Sequence, residues 1–556
     1  MTEYLKLKQS NCKNCYKCIR NCPVKSIRFG DNQANIISDA CILCGRCFVV
    51  CPQNAKQIRD DIPAVKALID SGVPVYASVA PSFVASYTDA NMASLTAALK
   101  KLGFAGAEET ALGAELVKKQ YDAMVNAGKR GIIISSCCPT VNTLIQKYYP
   151  DALPYLAPVV SPMLAHCADI KRRYADAVTV FIGPCISKKQ EAARSGGIVD
   201  CALTFEELSA WLNAKSIELG SEQENAGCVS RLFPTAGGIL RSMAAANPDY
   251  TYLTVDGIDN CARAIEELLD GQPGKCFIEM SACTGSCVGG PAMDQSHRHP
   301  LRGTLAVSRY AGTADAGVSC APEALTHHYP PLAPPRVHIS NDAIENVLRQ
   351  IGKTRPEHEL NCGSCGYNTC REKAVAVLQG KANLTMCLPF LKEKAESFSD
   401  NIIENSPNAI IVLSESFAVQ QLNSAACAMM NIRDPRDVIG EPVVRILDPL
   451  PFATAYDKKQ NAYDRRVYLP DYNRYVDQTV IYDKDFHILI CIMRDVTSEV
   501  RQQHSKEALS RTTVEIADKM IEKQMRAVQE IASLLGETTA ETRIALTRLK
   551  ETLQDG

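Results

Sequence analysis

The chain holds 556 residues, with 60 Lys and Arg set against 62 Asp and Glu for a net charge of −2. That balance gives no electrostatic footprint for nucleic acid or an anionic membrane, and no apolar run approaches the ~20 residues that span a bilayer. The length exceeds what one core supports, so about three to five domains are expected. The 25 cysteines would suit a secreted disulfide scaffold. Residues 1–20, however, are charged and carry cysteines rather than an export signal, and most of the cysteines at the two dense ends sit in tight C-x-x-C groups. That pattern favours metal ligation in a reducing cytoplasm.

From the N-terminus, Cys12-x2-Cys15-x2-Cys18-x3-Cys22-Pro23 is followed by Cys41-x2-Cys44-x2-Cys47-x3-Cys51-Pro52. The doubled run resembles the bacterial two-cluster ferredoxins, in which the fourth cysteine of each run ligates the other cluster. The resemblance implies one [4Fe–4S] on Cys12, Cys15, Cys18 and Cys51, and a second on Cys41, Cys44, Cys47 and Cys22. Paired zinc knuckles are the alternative, although zinc does not need the doubled spacing. Residues 58–330 then alternate helical and strand-like segments. Helices are predicted over Asp61–Ser71 and Asn91–Leu102, with a strand at Val75–Val79 between them.

Three apolar runs each end in a cysteine-bearing loop: Gly131-Ile-Ile-Ile-Ser-Ser-Cys-Cys-Pro139, Val178-Thr-Val-Phe-Ile-Gly-Pro-Cys185, and Cys276-Phe-Ile-Glu-Met-Ser-Ala-Cys-Thr-Gly-Ser-Cys287. Each reads as a buried strand leaving its sheet, where open α/β sheets place ligands. A Pro-rich linker is predicted at Tyr329–Pro335 and a helix over 339–352. A third cysteine group follows, Cys362-x2-Cys365-Gly-Tyr-x2-Cys370 with Cys387. It resembles a small [4Fe–4S]-binding domain of redox and sensor proteins, with structural zinc as the alternative. Residues 398–497 read as short alternating strands and helices. Beyond 498, Val514, Ala517, Ile521, Gln524, Val528, Ile531 and Leu535 are spaced 3-4-3-4-3-4, a coiled-coil seam with one polar position.

The three central motifs resemble those of the [FeFe]-hydrogenases. The resemblance implies that Cys138, Cys185, Cys283 and Cys287 bind a [4Fe–4S] cluster. Cys287 would bridge to a diiron subsite with carbon monoxide, cyanide and dithiolate, completing an H-cluster. Lys188 would hold one cyanide, an ammonium being a strong donor and counter-charge, while Ser82 and the backbone at Ala80–Pro81 would hold the other. Glu191 fits the P-C-x-x-K-x-x-E pattern, although Lys188 and Glu191 could equally form a helical ion pair of little worth. Cys137 matches the first proton relay of catalytic members; otherwise it is a buried thiol.

Several positions depart from the family pattern. Aligning Glu115 with the outer glutamate of the proton path puts Leu112 at the inner glutamate and Ala157 at the serine. Alkyl side chains cannot pass a proton. Gly183 and Ser281 replace two methionines of the diiron pocket, which should make it larger and more polar. Slow turnover and hydrogen sensing follow as expectations.

In the tail, Asn401–Leu413 with Asn423 resembles the opening of a PAS domain, and Asp495-Val496-Thr497 its exit motif. The expected architecture is multidomain α+β. It comprises a two-cluster ferredoxin domain (1–57), an α/β hydrogenase domain (58–335), a small cluster domain (336–397), a PAS domain (398–497) and a coiled-coil signalling helix (498–556). The expected cofactors are three [4Fe–4S] clusters and an H-cluster. The expected partners are H2 and protons, a redox protein such as ferredoxin, a second copy of the chain, and a separate kinase or phosphatase as output. An efficient hydrogenase merely regulated by its PAS module, or an iron–sulfur protein of the same superfamily without a diiron unit, are the other readings.

Overall fold

The computed structural model describes residues 4–8, 11–30, 33–87, 90–220, 227–244, 247–271, 274–293, 299–319, 321–332 and 339–554. It divides into two compact units, Met1–Leu391 and Lys392–Gly556. No helix among the described residues is long and apolar enough to cross a membrane.

The first unit opens with two antiparallel pairs, Leu5–Leu7 with Lys56–Ile58 and Ile27–Gly30 with Gln33–Ile36. The doubling of the cysteine runs extends to the backbone. Positive φ recurs two residues after the first cysteine of each run (Asn14, Leu43), one after the second (Tyr16, Gly45) and three after the fourth (Lys25, Asn54). Left-handed residues turn the chain tightly enough to fold it around a small centre.

The central region is built on two parallel sheets. One has four strands in the order Gly106–Glu109, Val75–Val79, Val178–Gly183 and Cys201–Thr204; the other orders Thr251–Asp256, Cys276–Ser281 and Ile132–Ile134. Strands Val178–Gly183, Ile132–Ile134 and Cys276–Ser281 read as nearly continuous apolar runs because they are buried. Helix Met92–Lys101 starts on a capping box, with Asn91 accepting from the Ser94 amide at 2.9 Å. The helices predicted over Asp61–Ser71 and Asn91–Leu102 and the Val75–Val79 strand form within a residue of their expected bounds, and that over 339–352 within two.

The predicted linker is partly corrected. Residues 333–335 lie outside the described residues, but 329–332 are fastened down. Tyr329 donates to the Val159 carbonyl at 2.9 Å, Gln146 donates to Pro330 at 2.8 Å, and the Leu332 amide donates to Gln146 at 2.8 Å. Proline favours the extended backbone, and here that segment lies against helix Pro139–Tyr148. Helices Asn341–Gln350 and Cys370–Leu378 then pack together around Val347, Leu348 and Ala374.

The second unit contains a five-stranded antiparallel sheet in the order Val419–Leu422, Ala409–Ser414, Ile488–Asp495, Arg474–Asp483 and Ala462–Leu469. Its alternating residues Ala409, Ile411 and Leu413 are fully buried. Asn423, also fully buried, has every side-chain function paired: it accepts from Ile410 and Ala426 amides and donates to the Ile403 and Asn408 carbonyls, all at 2.8–2.9 Å. Thr497–Gln554 is one continuous helix, and its seam residues Val514, Ile521, Val528 and Ile531 are exposed on the single chain.

Asn423→Ala strands at least two buried backbone groups and should destabilise the second unit by about 3 kcal/mol. Chemical denaturation of the full chain, following that unit's transition, checks this; an unchanged midpoint would refute the assignment.

Candidate metal centre

Strands of both parallel sheets release their loops toward one cavity. Val79 leads into Ala80-Pro81-Ser82, and Gly183 into Pro184-Cys185 and helix Ser187–Ala193, which carries Lys188. Ile134 leads into Cys137 and Cys138, where Pro139 opens a helix at the position that needs no amide donor. Ser281 leads through Cys283 and a turn with positive φ at Gly285 and Ser286 to Cys287. The cavity, about 120 Å³, is lined by Ser82, Cys137, Cys138, Cys185, Lys188, Cys283 and Cys287, with apolar walls that include Ala80, Pro81, Met163, Phe181 and Phe233.

Burial dominates the electrostatics. It pushes the Cys137 and Cys287 thiols up to about 12 and raises Cys138 and Cys283 as well, with the neighbouring cysteines adding to the shift. Lys188 is 8% exposed. Burial pulls its pKa down, but the Glu191 carboxylate at 2.6 Å and the Cys185 and Cys137 sulfurs outweigh that and hold it above its ordinary value. Ser82 Oγ faces the same cavity, fully buried and without a hydrogen-bond partner. A buried orphan hydroxyl costs about 1–3 kcal/mol, and this one is free to donate into the void. Cys185 Sγ lies 3.0 Å from Ser187 Oγ, which accepts from Thr140 at 2.9 Å.

The other cysteines of the spaced motifs gather in two places. In the N-terminal run, amides donate to sulfur at 3.3 Å in the pairs Ser26–Cys22, Leu43–Cys41 and Ala55–Cys51, a contact that tunes metal–sulfur centres. Cys362, Cys365, Cys370 and Cys387 together line a small cavity. Among the described residues no three His, Cys, Asp or Glu side chains close tightly enough on one point to hold a single metal ion. In the central and C-terminal sites the thiols are spread around voids.

Of the residues assigned to the cluster and its ligands from sequence, Ala80, Pro81, Ser82, Cys137, Cys138, Cys185, Lys188, Cys283 and Cys287 line the cavity, and Glu191 reaches it only through Lys188. Glu115 is fully buried, but its carboxylate is taken up by the amides of Ala316, Gly317 and Val318 at 2.6–3.1 Å and by Lys119 at 2.9 Å. Neither it, Leu112 nor Ala157 touches the cavity. Of the two positions expected to make the pocket larger and more polar, Ser281 lines the cavity, but Gly183 does not enlarge it. A Cβ on Gly183 would meet the Phe181 ring at 2.6 Å, so that ring occupies the space opened by the missing side chain.

Sequence reasoning missed Tyr121. Its wholly buried phenol stands 3.2 Å from Cys137 Sγ and accepts from the Ser136 amide at 2.9 Å. It also missed Glu279, pushed up to about 7 by burial despite amides from Gly237, Ile239 and Leu240. Tyr121 lies on helix Ala111–Ala127, remote in sequence from the cysteine motifs, so no local pattern marks it.

Residues 73–291 match the family described as iron only hydrogenase large subunit, C-terminal domain; 4–65 match a 4Fe-4S dicluster domain, and 359–389 an Fe-S cluster family. The chain is 25% identical over 339 residues to the NADP-reducing hydrogenase subunit HndD of Solidesulfovibrio fructosivorans, covering 48% of this chain and 58% of that protein. It is 26% identical over 361 residues to the periplasmic [Fe] hydrogenase large subunit of Nitratidesulfovibrio vulgaris, covering 52% and 85%. A solved variant of [FeFe]-hydrogenase HydA1 from Chlamydomonas reinhardtii aligns at 18% identity with a TM-score of 0.40, covering 50% of this chain and all of that one. Residues 73–291 thus resemble an [FeFe]-hydrogenase domain and residues 4–65 a two-cluster iron–sulfur domain, and the gathered cysteines lie within these stretches.

Proposed function

We propose that the protein is a sensory [FeFe]-hydrogenase that interconverts H2 with two protons and two electrons at the central cavity, slowly, and passes the redox state on as a signal. The carrying observation is the cavity itself. Five thiols, a buried ammonium and an unpartnered hydroxyl surround an otherwise apolar void at the ends of parallel strands. Cys138, Cys185, Cys283 and Cys287 would hold the cubane half of an H-cluster, with Cys287 shared with the diiron half. When bound, such a group supplies the Lewis acid and the base between which H2 is split.

The chain's own residues do the rest. Lys188, kept charged by Glu191, supplies a donor and a counter-charge for an anionic ligand, and Ser82 Oγ a second donor. Apolar walls exclude water. Cys137, held by Tyr121, faces the void and carries protons to and from it. Slow turnover is supported by Leu112 and Ala157 lying where the family's relay has acidic and hydroxyl groups, and by Glu115 being committed to backbone amides. The C-terminal sheet with its buried Asn423 supports a PAS reading, and the exposed heptad seam a homodimer. A kinase or phosphatase would receive the output and a ferredoxin would exchange electrons. The cytoplasm suits the free cysteines.

Infrared spectra of the matured protein should show bands of iron-bound carbon monoxide and cyanide that shift reversibly between argon and H2. Fixed bands would sink the hydrogen-sensing reading; absent bands would leave an iron–sulfur protein without a diiron unit. Cys137→Ala should lower turnover about 100-fold or more while the bands persist, and undiminished turnover would remove Cys137 from the proton path. Tyr121→Phe should slow turnover about two- to tenfold, the rate equivalent of one hydrogen bond; a full rate would show that the phenol does not position the thiol.

A further inference from the structure

In sequence the C-terminal cysteine site follows the hydrogenase-like region, so the simplest wiring would connect it to the central cavity. The packing connects it elsewhere. The cavity of Cys362, Cys365, Cys370 and Cys387 is lined only by residues between Ile351 and Pro389, and the segment that carries it leans on the N-terminal cysteine region. Gly366, at φ +95°, sits so close to Ile19 that a Cβ would stand 2.8 Å from its Cγ2 atom. Lys25 Nζ donates to the Gly366 carbonyl at 2.8 Å, Arg20 to that of Ser364 at 3.2 Å, and the Phe29 amide to that of Lys381 at 2.9 Å.

The second cysteine run, whose Cys41, Cys44 and Cys47 would share their site with Cys22 of the first, meets the central cavity on another side. Cys44, Ala282 and Cys283 line one cleft of about 290 Å³. Gly45, at φ +70°, touches Pro291 and Ile186 so closely that a Cβ would stand 2.5 Å from Pro291 Cβ. Lys147 donates to the Cys41 carbonyl at 2.8 Å. One continuous apolar cluster holds Cys22, Cys41 and Cys47 together with Cys365 and Tyr367 from one neighbour and Ile186 from the other.

We infer that the site of Cys22, Cys41, Cys44 and Cys47 is an electrical junction, and that the C-terminal cysteine site is a side branch joined to it through the Lys25, Gly366 and Tyr367 contact. This deepens the proposed function by naming the route of its redox signal, and it rests on that reading for the source of the electrons. Oxidation of one H2 releases two protons to water and two electrons. The electrons leave singly through the junction, each reducing one oxidised iron–sulfur cluster by one electron, toward the Cys12, Cys15, Cys18 and Cys51 site or toward the C-terminal site. Electron tunnelling falls steeply with distance, so close backbone approach selects these two exits.

Lys25 sits at the fork. Its ammonium, 5.9 Å from the centre of the Tyr367 ring, feels both the Cys22 and the Cys365 sulfurs. A cation there stabilises the more negative, reduced form of a cluster on either side, which raises both potentials.

The test is a dithionite titration of the full, cluster-loaded chain followed by electron paramagnetic resonance. Lys25→Gln should move two cluster signals together to lower potential. Gly366→Val should weaken the magnetic interaction between those two signals while their number stays the same. If Lys25→Gln moves one signal alone or none, or Gly366→Val leaves the interaction intact, the branch is refuted. Loss of a signal in Gly366→Val reports a lost cluster, and the decision then rests on Lys25→Gln. Because dithionite replaces H2, joint shifts in a protein without infrared bands would uphold the junction while refuting the hydrogenase reading.

Discussion

Burial of sulfur governs the first unit. A thiol taken out of water loses its tendency to ionise: at the central cavity Cys137 and Cys287 are pushed up to about 12, and Cys138 and Cys283 are raised as well. Thiolates buried side by side would repel one another at low dielectric. Only a cationic centre reverses both effects at once, because a bound metal deprotonates its thiol ligands and screens their charges from each other. The tight turns of the N-terminal run, the strand ends around the cavity and the close contacts between segments all serve to bring sulfur inside while leaving room for such a centre.

Much of this was legible in the sequence, for an identifiable reason. Cysteine spacing is a local property, and the backbone repeats it: left-handed residues recur at matching positions in the two runs. The strand ends were legible because apolar runs stop abruptly at Gly, Pro or Ser. One further signal went unread. At matching positions the first run has Tyr16 and the second Gly45, and both adopt positive φ. Tyr16 spends its side chain on Phe29, at 5.0 Å between ring centres. Gly45 has none because Pro291 and Ile186 occupy the space. The asymmetry of an otherwise doubled motif marks which half docks.

What stayed hidden is non-local. The phenol on Cys137 arrives from a helix 16 positions upstream, and Glu115 is captured by amides 201 to 203 positions away. Phe181 fills space that the Gly183 substitution had suggested would be empty. Composition and periodicity carry no record of such meetings, because they depend on how elements stack rather than on what each element is. The fastened 329–332 segment is a similar case: its prolines read as a linker and gave no sign that the chain would find a surface to lie on.

The two parallel sheets of the central region share no strand pairing. Cys185 comes from one; Cys138, Cys283 and Cys287 come from the other. A group held by all four would therefore act as a mechanical clasp between halves joined otherwise by packing and a few hydrogen bonds, such as that from the Ala292 amide to the Pro184 carbonyl at 3.1 Å. Cross-links that close loops of this size remove on the order of 4–5 kcal/mol of denatured-chain entropy in simple polymer terms. Before loading, the seam between the sheets would be the softer part of the domain, a natural place for a bulky preformed group to slip in; after loading, the cargo itself would lock the door behind it.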